Sequence, residues 1–499
     1  MQTPILGSAY VARSVNAADN KLINLFPEAI QDGGKTAGFF TRCPGLRTLA
    51  TVGTGPIRGL WSFGGLGYVV SGTELYTLNT DWTYALIGTV AGSGPVSIAD
   101  NGTQMFIAAN GPGYIYNAST AEFAMITDVD FHGAVTVGYL DGYFVFNEPN
   151  SQRVWVTSLL DGTSIDPLEF ASAEGNPDNL IALMVDHREV WMFGVNSIEV
   201  WYDAGGADFP LQRIQGAFNE LGCAAPYSIA KLDNALFWLG SDARGKGIVY
   251  KTQGYAGVRI STHAIEYAIQ NYSTITDALS YTYQQEGHAF YVLIFPTAGK
   301  TWVYDVSIQA WHERAGFVDG QFTRHRSNCQ MAFNGQLVVG DYADGRVYAF
   351  DLDVYQDKWL RSWRALPTGK NNLKRTTHHA LQLDCEVGLT LAASDYTQLI
   401  ETQGADLLTT QYPMYIETED GRMTNQPQVM LRWSDDGGHT WSNEHWASMG
   451  TTGETGKRVI WRRLGMTLKL RDRVYEVSGT DPVKVAIMGA ELLISGTNA

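Results

Sequence analysis

Apolar residues along this chain come in short runs cut apart by polar turns, and the stretch 181–202, IALMVDHREVWMFGVNSIEVWY, shows the pattern most clearly. Runs 181–185, 189–194 and 197–202 are rich in β-branched and aromatic side chains, which suit a pleated, half-buried surface and predict three strands. Asp186-His187-Arg188 and Val195-Asn196 are the turns between them. A unit of three short strands does not bury both its faces alone, so a chain that repeats it must stack the copies against one another.

The pattern does repeat. First strands are expected at Ile57-Arg58-Gly59-Leu60-Trp61, Val96-Ser97-Ile98-Ala99, Val135-Thr136-Val137-Gly138-Tyr139, 181–185, Tyr227-Ser228-Ile229-Ala230, Ala278-Leu279-Ser280-Tyr281 and Asn328-Cys329-Gln330-Met331. Their starts lie about 39 to 51 residues apart, close to the period of four-stranded propeller blades. The count is seven units, with six blades as the alternative. Asp100-Asn101-Gly102, Asp141-Gly142, Asp233-Asn234 and Asn334-Gly335 follow first strands. These residue types enter left-handed backbone conformations at low cost, as tight hairpins require. The Gly-His and Trp-Asp signatures of WD40 repeats do not recur.

Before the repeats stands Asn24-Leu25-Phe26-Pro27-Glu28, followed by a Gly-rich turn and a Pro44-Gly45 pair. After Asp353 the pattern changes, and the polar loop Pro367-Thr368-Gly369-Lys370-Asn371-Asn372 has the composition of a boundary. Alternating runs then continue to the end, among them 429–433 and 468–474. The expected fold class is therefore all-β: an N-terminal β-propeller over 1–355 that includes an N-terminal closing segment, a linker over 356–375, and a C-terminal β-sandwich-like domain over 376–499. One short helix is expected over 263–271.

Composition narrows the function. With 499 residues, 45% of them hydrophobic, the chain has material for two cores, and its net charge of −16 opposes a main surface built to hold nucleic acid. The same charge suits solubility, or a wall that DNA passes without sticking. Cys43, Cys223, Cys329 and Cys385 are widely spaced and suggest neither a zinc site nor a disulfide framework. No secretory-type leader is read at the N-terminus, and the longest apolar run, 289–295, is too short to span a bilayer. Between 376 and 420 the charges are all acidic, whereas Lys457, Arg458, Arg462, Arg463, Lys469, Arg471 and Arg473 are basic. If 468–474 is a strand, Lys469, Arg471 and Arg473 project from one face at roughly 7 Å intervals. That face reads either as solvated or as an assembly contact with acidic surface on another subunit.

The sharpest local motif is Ser434-Asp435-Asp436-Gly437-Gly438-His439-Thr440-Trp441, which fits the Asp-box pattern of sialidases and other propellers. In it Ser434, Asp436, Gly438, Thr440 and Trp441 have turn-forming roles: the carboxylate accepts from turn amides, the glycines allow the bend, and the indole packs. Glycoside cleavage would need a placed carboxylate pair or a tyrosine nucleophile. Asp305, Glu313 and Arg314, near Trp302 and Trp311, are the candidates, but no motif places a second carboxylate. Adjacent His378 and His379 point to opposite faces of a strand. The run Gly340-Asp341-Tyr342-Ala343-Asp344-Gly345 lacks the ligand count of an EF-hand and reads as a turn. No catalytic, metal or cofactor set is expected.

Taken together, the Asn24–Glu28 opening with Pro44-Gly45, Gly94-Pro95-Val96-Ser97-Ile98-Ala99, Phe193-Gly194 with Ser197-Ile198-Glu199-Val200-Trp201, and 295–305 resemble one family. Gly340-Asp341-Tyr342, 431–438, Trp461-Arg462-Arg463-Leu464-Gly465 and Asp481-Pro482-Val483-Lys484 extend the resemblance. It is to the packaged-DNA stabilisation proteins that form the tail hub, or nozzle, of short-tailed bacteriophages. The resemblance implies a non-enzymatic virion tail protein, assembled in the host cytoplasm after genome packaging as a homo-oligomer, with a hexameric ring expected. It further implies docking to a tail adaptor protein, attachment of tailspikes or fibres and of a needle or plug, and passage of double-stranded DNA without sequence-specific binding. The competing reading is a propeller-type carbohydrate-binding or glycoside-cleaving, sialidase-like receptor protein.

Overall fold

A computed structural model describes residues 1–30, 33–173, 175–176, 178–206, 209–242, 245–366, 375–389, 426–451, 453–467 and 473–496. The chain divides into two compact units, one made of 47–309 and 323–350, the other of 1–46, 310–322 and 351–499.

The first unit is a ring of antiparallel meanders. Blade 1 runs Ile57–Phe63, Leu66–Ser71, Glu74–Leu78 and Tyr84–Thr89; blades 2 to 4 begin at Ser97–Asp100, Val137–Leu140 and Leu180–Asp186. Blade 5 is built on Ala235–Asp242, Gly245–Gln253 and Ala256–Arg259. Blade 6 contributes Leu279–Gln285, His288–Phe295 and Lys300–Asp305 to this unit. Blade 7 contains Ser327–Phe333, Gln336–Asp341 and Arg346–Asp351, and its fourth strand is Gly45–Thr51, from before blade 1. One sheet thus joins the beginning and the end of the repeat region, and with the other six it makes seven blades among the described residues. The closure is reinforced by the Val52 amide, which donates to the Gly345 carbonyl at 2.7 Å.

The stretch 181–202 explains why each blade needs two neighbours. In the strand Glu189–Gly194, Trp191 and Phe193 pack with Leu236, Trp238 and Tyr250 of blade 5, while Val190 and Met192 pack with Val145, Val154 and Val156 of blade 3. Alternate side chains of a strand leave on opposite faces, so a strand buried on both sides is apolar throughout. The same interlock recurs around the ring. Tyr68 and Leu75 meet Ile107 and Tyr114 between blades 1 and 2, and Phe106 meets Phe144 and Phe146 between blades 2 and 3. Phe237 stacks on Tyr291 at 5.3 Å between blades 5 and 6, and Tyr283 on Phe350 at 4.9 Å between 6 and 7. Leu60 and Val69 join Met331, Phe333 and Val338 where blade 7 meets blade 1.

Hairpin turns take the conformations their residues allow. Asp141, Asp233, Asn234 and Asn334 all have φ between 47° and 55°, and Gly102, Gly142 and Gly335 are likewise positive. Blade 5 departs from the expected start at Tyr227. Pro226, with its fixed φ and no N–H, opens a 3-10 turn over Pro226–Ser228. Pairing to Ala235–Asp242 is consequently divided between Gly222–Cys223 and Ala230–Leu232. The short helix forms at His263–Gln270, with Thr262 as its N-cap.

The described strands of the second unit fall largely into two sheets. One has the order Val459–Arg462, Thr376–Cys385, Ala486–Gly496, Gly38–Arg42, Leu25–Ala29, with Gln2–Thr3 also on Ala486–Gly496. The other contains Ala310–Glu313, Leu22–Ile23, Trp359–Arg364, Val474–Gly479, Gln428–Ser434 and His445–Ser448. Side chains tie sheet to sheet: the His378 imidazole lies 2.7 Å from the Tyr475 hydroxyl, and the Trp363 indole donates to Thr3 Oγ1 at 3.0 Å. Residues 1–46, grouped with the propeller on sequence, supply strands to both sheets. Gly45–Thr51, which follows them, pairs in blade 7.

Candidate functional site

The Asp-box residues form a self-contained turn at the end of strand Gln428–Ser434. Asp436 Oδ1 accepts from the Ser434 hydroxyl at 2.6 Å and from the amides of His439 and Thr440 at 3.0 and 2.8 Å; Oδ2 accepts from the Thr440 hydroxyl at 2.6 Å. Ser434 Oγ in turn accepts from the Gly438 amide at 2.8 Å. Gly437 and Gly438 have φ of 73° and 101°, which side chains with a Cβ rarely adopt. The Ser434 and Thr440 hydroxyls and turn amides favour the charged form and hold the Asp436 carboxyl well below its usual range. Trp441 lies under the Arg432 guanidinium, 4.8 Å from the ring centroid.

Arg473 corrects the reading of a cationic stripe. It is 1% exposed, with Nε and Nη2 donating to Asp435 at 2.6 and 2.8 Å and Nη1 to the Leu464 carbonyl at 2.6 Å. Its head is turned inward because Asp435, next to the Asp box, offers a carboxylate in bidentate geometry. Lys469 and Arg471 lie outside the described residues, as does most of the acidic stretch 376–420.

The residues weighed for glycoside cleavage form no described constellation. Asp305 is buried in blade 6, 2.6 Å from the His288 imidazole, and accepts from the Ser307 amide at 2.9 Å. Glu313 and Arg314 belong to the other unit and are buried there. Trp302 donates to the Tyr272 hydroxyl at 2.9 Å, a packing role. In the 340–345 turn, Asp341 accepts from Arg326, Tyr348 and the Ala343 amide, and Asp344 is held by Arg346. His378 is buried and His379 exposed. Among the described residues no group of three or more His, Cys, Asp or Glu side chains is placed to hold a metal ion.

The ring itself contains a half-enclosed cavity of about 400 Å³. Arg58, Tyr227, Asp277, Arg324, Asn328 and Tyr342 are among its lining residues, contributed by blades 1, 5, 6 and 7, with Gly94, Pro95 and Asn110 from the blade 2 region. Only the middle of a ring is within reach of all these blades. None of these residues forms a sequence motif; ring closure brings Arg58 and Arg324 to one cavity from opposite ends of the repeat region.

Comparison with known proteins also finds two parts. A family model described as Bacteriophage P22 Gp10, beta-propeller, matches residues 1–355, and another, Bacteriophage P22 Gp10, beta-sandwich, matches residues 392–495. The chain belongs to the P22 Gp10 family. It is a structural protein of a phage tail hub, of the family that stabilises packaged DNA, with an all-β propeller and sandwich. The structure adds to the Gp10 sandwich match the strands contributed by residues 1–46 and 310–313. A comparison with curated proteins returns no match. Among solved structures the chain is similar to the computationally designed Ika8 protein, at 11% identity and TM-score 0.39, covering 61% of this chain and 99% of that one. It is also similar to a chain of the mitotic checkpoint complex (11%, 0.39, covering 65% and 98%) and to the N-terminal domain of Nup159 (9%, 0.38, covering 66% and 98%).

Proposed function

We propose that this Gp10-family chain forms, as six copies, the ring that closes the DNA exit channel of a short-tailed phage and retains the packaged genome. The observation that carries the reading is the match of both Gp10 models, in order, over nearly the whole chain. Physical reasoning supports it. A blade gripped on both faces by its neighbours has little freedom to tilt, and a seven-bladed ring closed by its own early strand has no free end from which to unravel. Stiff subunits in a closed ring resist outward pressure, and a net charge of −16 keeps the wall from gripping DNA during ejection. In this proposal the subunit docks to a tail adaptor and anchors tailspikes or fibres and a needle, without catalysis. Lys469 and Arg471 are proposed to meet acidic surface of a neighbouring subunit.

Particles assembled without this chain should fill with DNA and then lose it. Stable, DNA-full particles lacking the protein would overturn the proposal, and electron micrographs of intact tails should show the chain as a closed ring.

A further inference from the structure

The propeller cavity has an electrostatic character at odds with the rest of the protein. In a chain of net charge −16, two buried guanidiniums, Arg58 and Arg324, face a single carboxylate, Asp277. Arg58, 3% exposed, is a wall component: Nε donates to the Gly94 carbonyl, Nη1 to those of Gly72 and Val90, and Nη2 to that of Ala91, at 2.6 to 3.0 Å. All four acceptors are neutral, so its charge has no counter-ion. Arg324 is 8% exposed, its guanidinium carbon over the Tyr342 ring, 4.1 Å from the centroid. Nη2 donates to Asn328 Oδ1 at 2.7 Å; Nε is buried without a partner, and no ion pair joins the guanidinium to any described residue. Burial pulls its pKa down to about 10, more than the nearby Tyr342, Tyr281, Asp341 and Asp277 offset.

A buried cation without an ion-pair partner is costly, and the cost is recovered when an anion with hydrogen-bonding oxygens arrives. The pocket is shaped for more than an inorganic ion. About 400 Å³ is at the small end of the roughly 300–1,000 Å³ range of ligand pockets, enough for one ring-sized molecule. Tyr227, Tyr342 and the prolines at 56, 95, 226 and 296 supply flat apolar walls. Asn110, Thr276 and Asp277 supply polar groups. Asp277 accepts from the Thr297 amide at 2.9 Å, and its Oδ1 has no partner. That carboxylate suits hydroxyl donors and disfavours a doubly charged anion such as a phosphate ester.

We propose that the cavity at the middle of the propeller binds a small carboxylate-bearing ligand the size of one sugar ring, with Arg324 taking the carboxylate and Asp277 accepting from its hydroxyls. The site is independent of the hub reading, since it lies within one subunit and needs no ring of subunits.

The test is calorimetric titration of the full-length chain with glucuronate, glucose and glucose 6-phosphate, alongside Arg324→Gln, Arg324→Lys and Asp277→Asn, with thermal melting to verify folding. Glucuronate should bind at least tenfold more tightly than glucose and more tightly than glucose 6-phosphate. Arg324→Gln should weaken it tenfold or more, Arg324→Lys should retain part of the affinity, and Asp277→Asn should tighten it by removing like charge. The Asp277 variant keeps the test decisive if Arg324→Gln does not fold. The proposal is overturned if glucuronate binds no better than glucose, if glucose 6-phosphate binds better, or if folded variants at both positions bind glucuronate as the parent does.

Discussion

Asn24 and Ala315, 291 positions apart, hold each other by both ends of one amide: Nδ2 of Asn24 donates to the Ala315 carbonyl at 2.7 Å, and Oδ1 accepts from the Ala315 amide at 2.9 Å. The same Nδ2 donates to the Lys358 carbonyl at 2.8 Å, and the Asn24 backbone bonds to Glu313 and Cys43. Four separate pieces of chain meet at this 6%-exposed side chain, whose φ is 55°. Asparagine tolerates that backbone conformation better than other residues with a Cβ, apart from aspartate.

Asn24→Ala should therefore destabilise the two-sheet unit by about 3 kcal/mol or more, summing buried unsatisfied groups and left-handed backbone strain. Asn24→Asp keeps the acceptor and loses both donors, and should be intermediate or worse because of the buried charge. Urea denaturation followed by tryptophan fluorescence checks the order. An alanine variant as stable as the parent would remove Asn24 from its structural role.

Removing one member of the Arg473–Asp435 pair should be worse than removing both. Asp435→Ala leaves a 1%-exposed guanidinium without its carboxylate, a loss on the order of 3–5 kcal/mol. The double variant Arg473→Met, Asp435→Ala should recover much of it, which a double-mutant cycle in denaturant measures.

Close approach of blades 7 and 1 should make Gly340 intolerant of a methyl group. A Cβ there would lie 2.4 Å from Ile57 Cγ2, whereas a Cβ on Gly489 meets nothing within 4 Å. Gly340→Ala should cost about 1–3 kcal/mol by overpacking, and Gly489→Ala should be neutral or slightly stabilising. Equal melting temperatures for the two variants would count against interlocked blades.

Acid should weaken the sandwich through His378. Burial, helped by the nearby Arg473 charge, lowers its pKa from 6.5 to about 3. Because the folded value is below the unfolded one, the stability that neutral His378 allows is complete above about pH 6.5 and is lost as pH falls towards 3. His378→Gln, which can still bond to Tyr475 but does not titrate, should show a flatter decline between pH 7 and pH 4. Parallel curves for parent and variant would assign the acid sensitivity elsewhere.

The propeller was legible in sequence because its signal is local and repeated. The run–turn–run pattern of 181–202 and the positive-φ turn residues recur with a nearly fixed period, and six of the seven expected first strands form where they were read. Blade 5 shifted because Pro226 breaks pairing at the expected start. The sandwich was only half legible. Leu25–Ala29 and Gly38–Arg42 look like any short strands that pair with each other, and the pairing of Gly38–Arg42 with Ala486–Gly496 spans most of the chain, which no local pattern reports. Arg473 was misread for a related reason. A basic residue on a strand defaults to the solvent side unless a carboxylate waits inside, and Asp435 is 38 positions away. Arg58, Tyr227 and Asn328 stand at expected starts of first strands, but nothing local marks them as lining one cavity, since Arg58 and Arg324 become neighbours of one space only when the ring shuts.

The pairing of Gln2–Thr3 with Ala490–Glu491 also bears on how the protein is made. Ala486–Gly496 is the strand on which Gln2–Thr3, Gly38–Arg42 and Thr376–Cys385 all converge. During synthesis each of these earlier segments lacks one neighbour until Ala486–Gly496 follows. A chain lacking Ala486–Gly496 would leave raw edges on Gly38–Arg42 and Thr376–Cys385. That sheet of the second unit is therefore completed only once Ala486–Gly496 has been made, and a single late strand decides whether three earlier ones gain a neighbour.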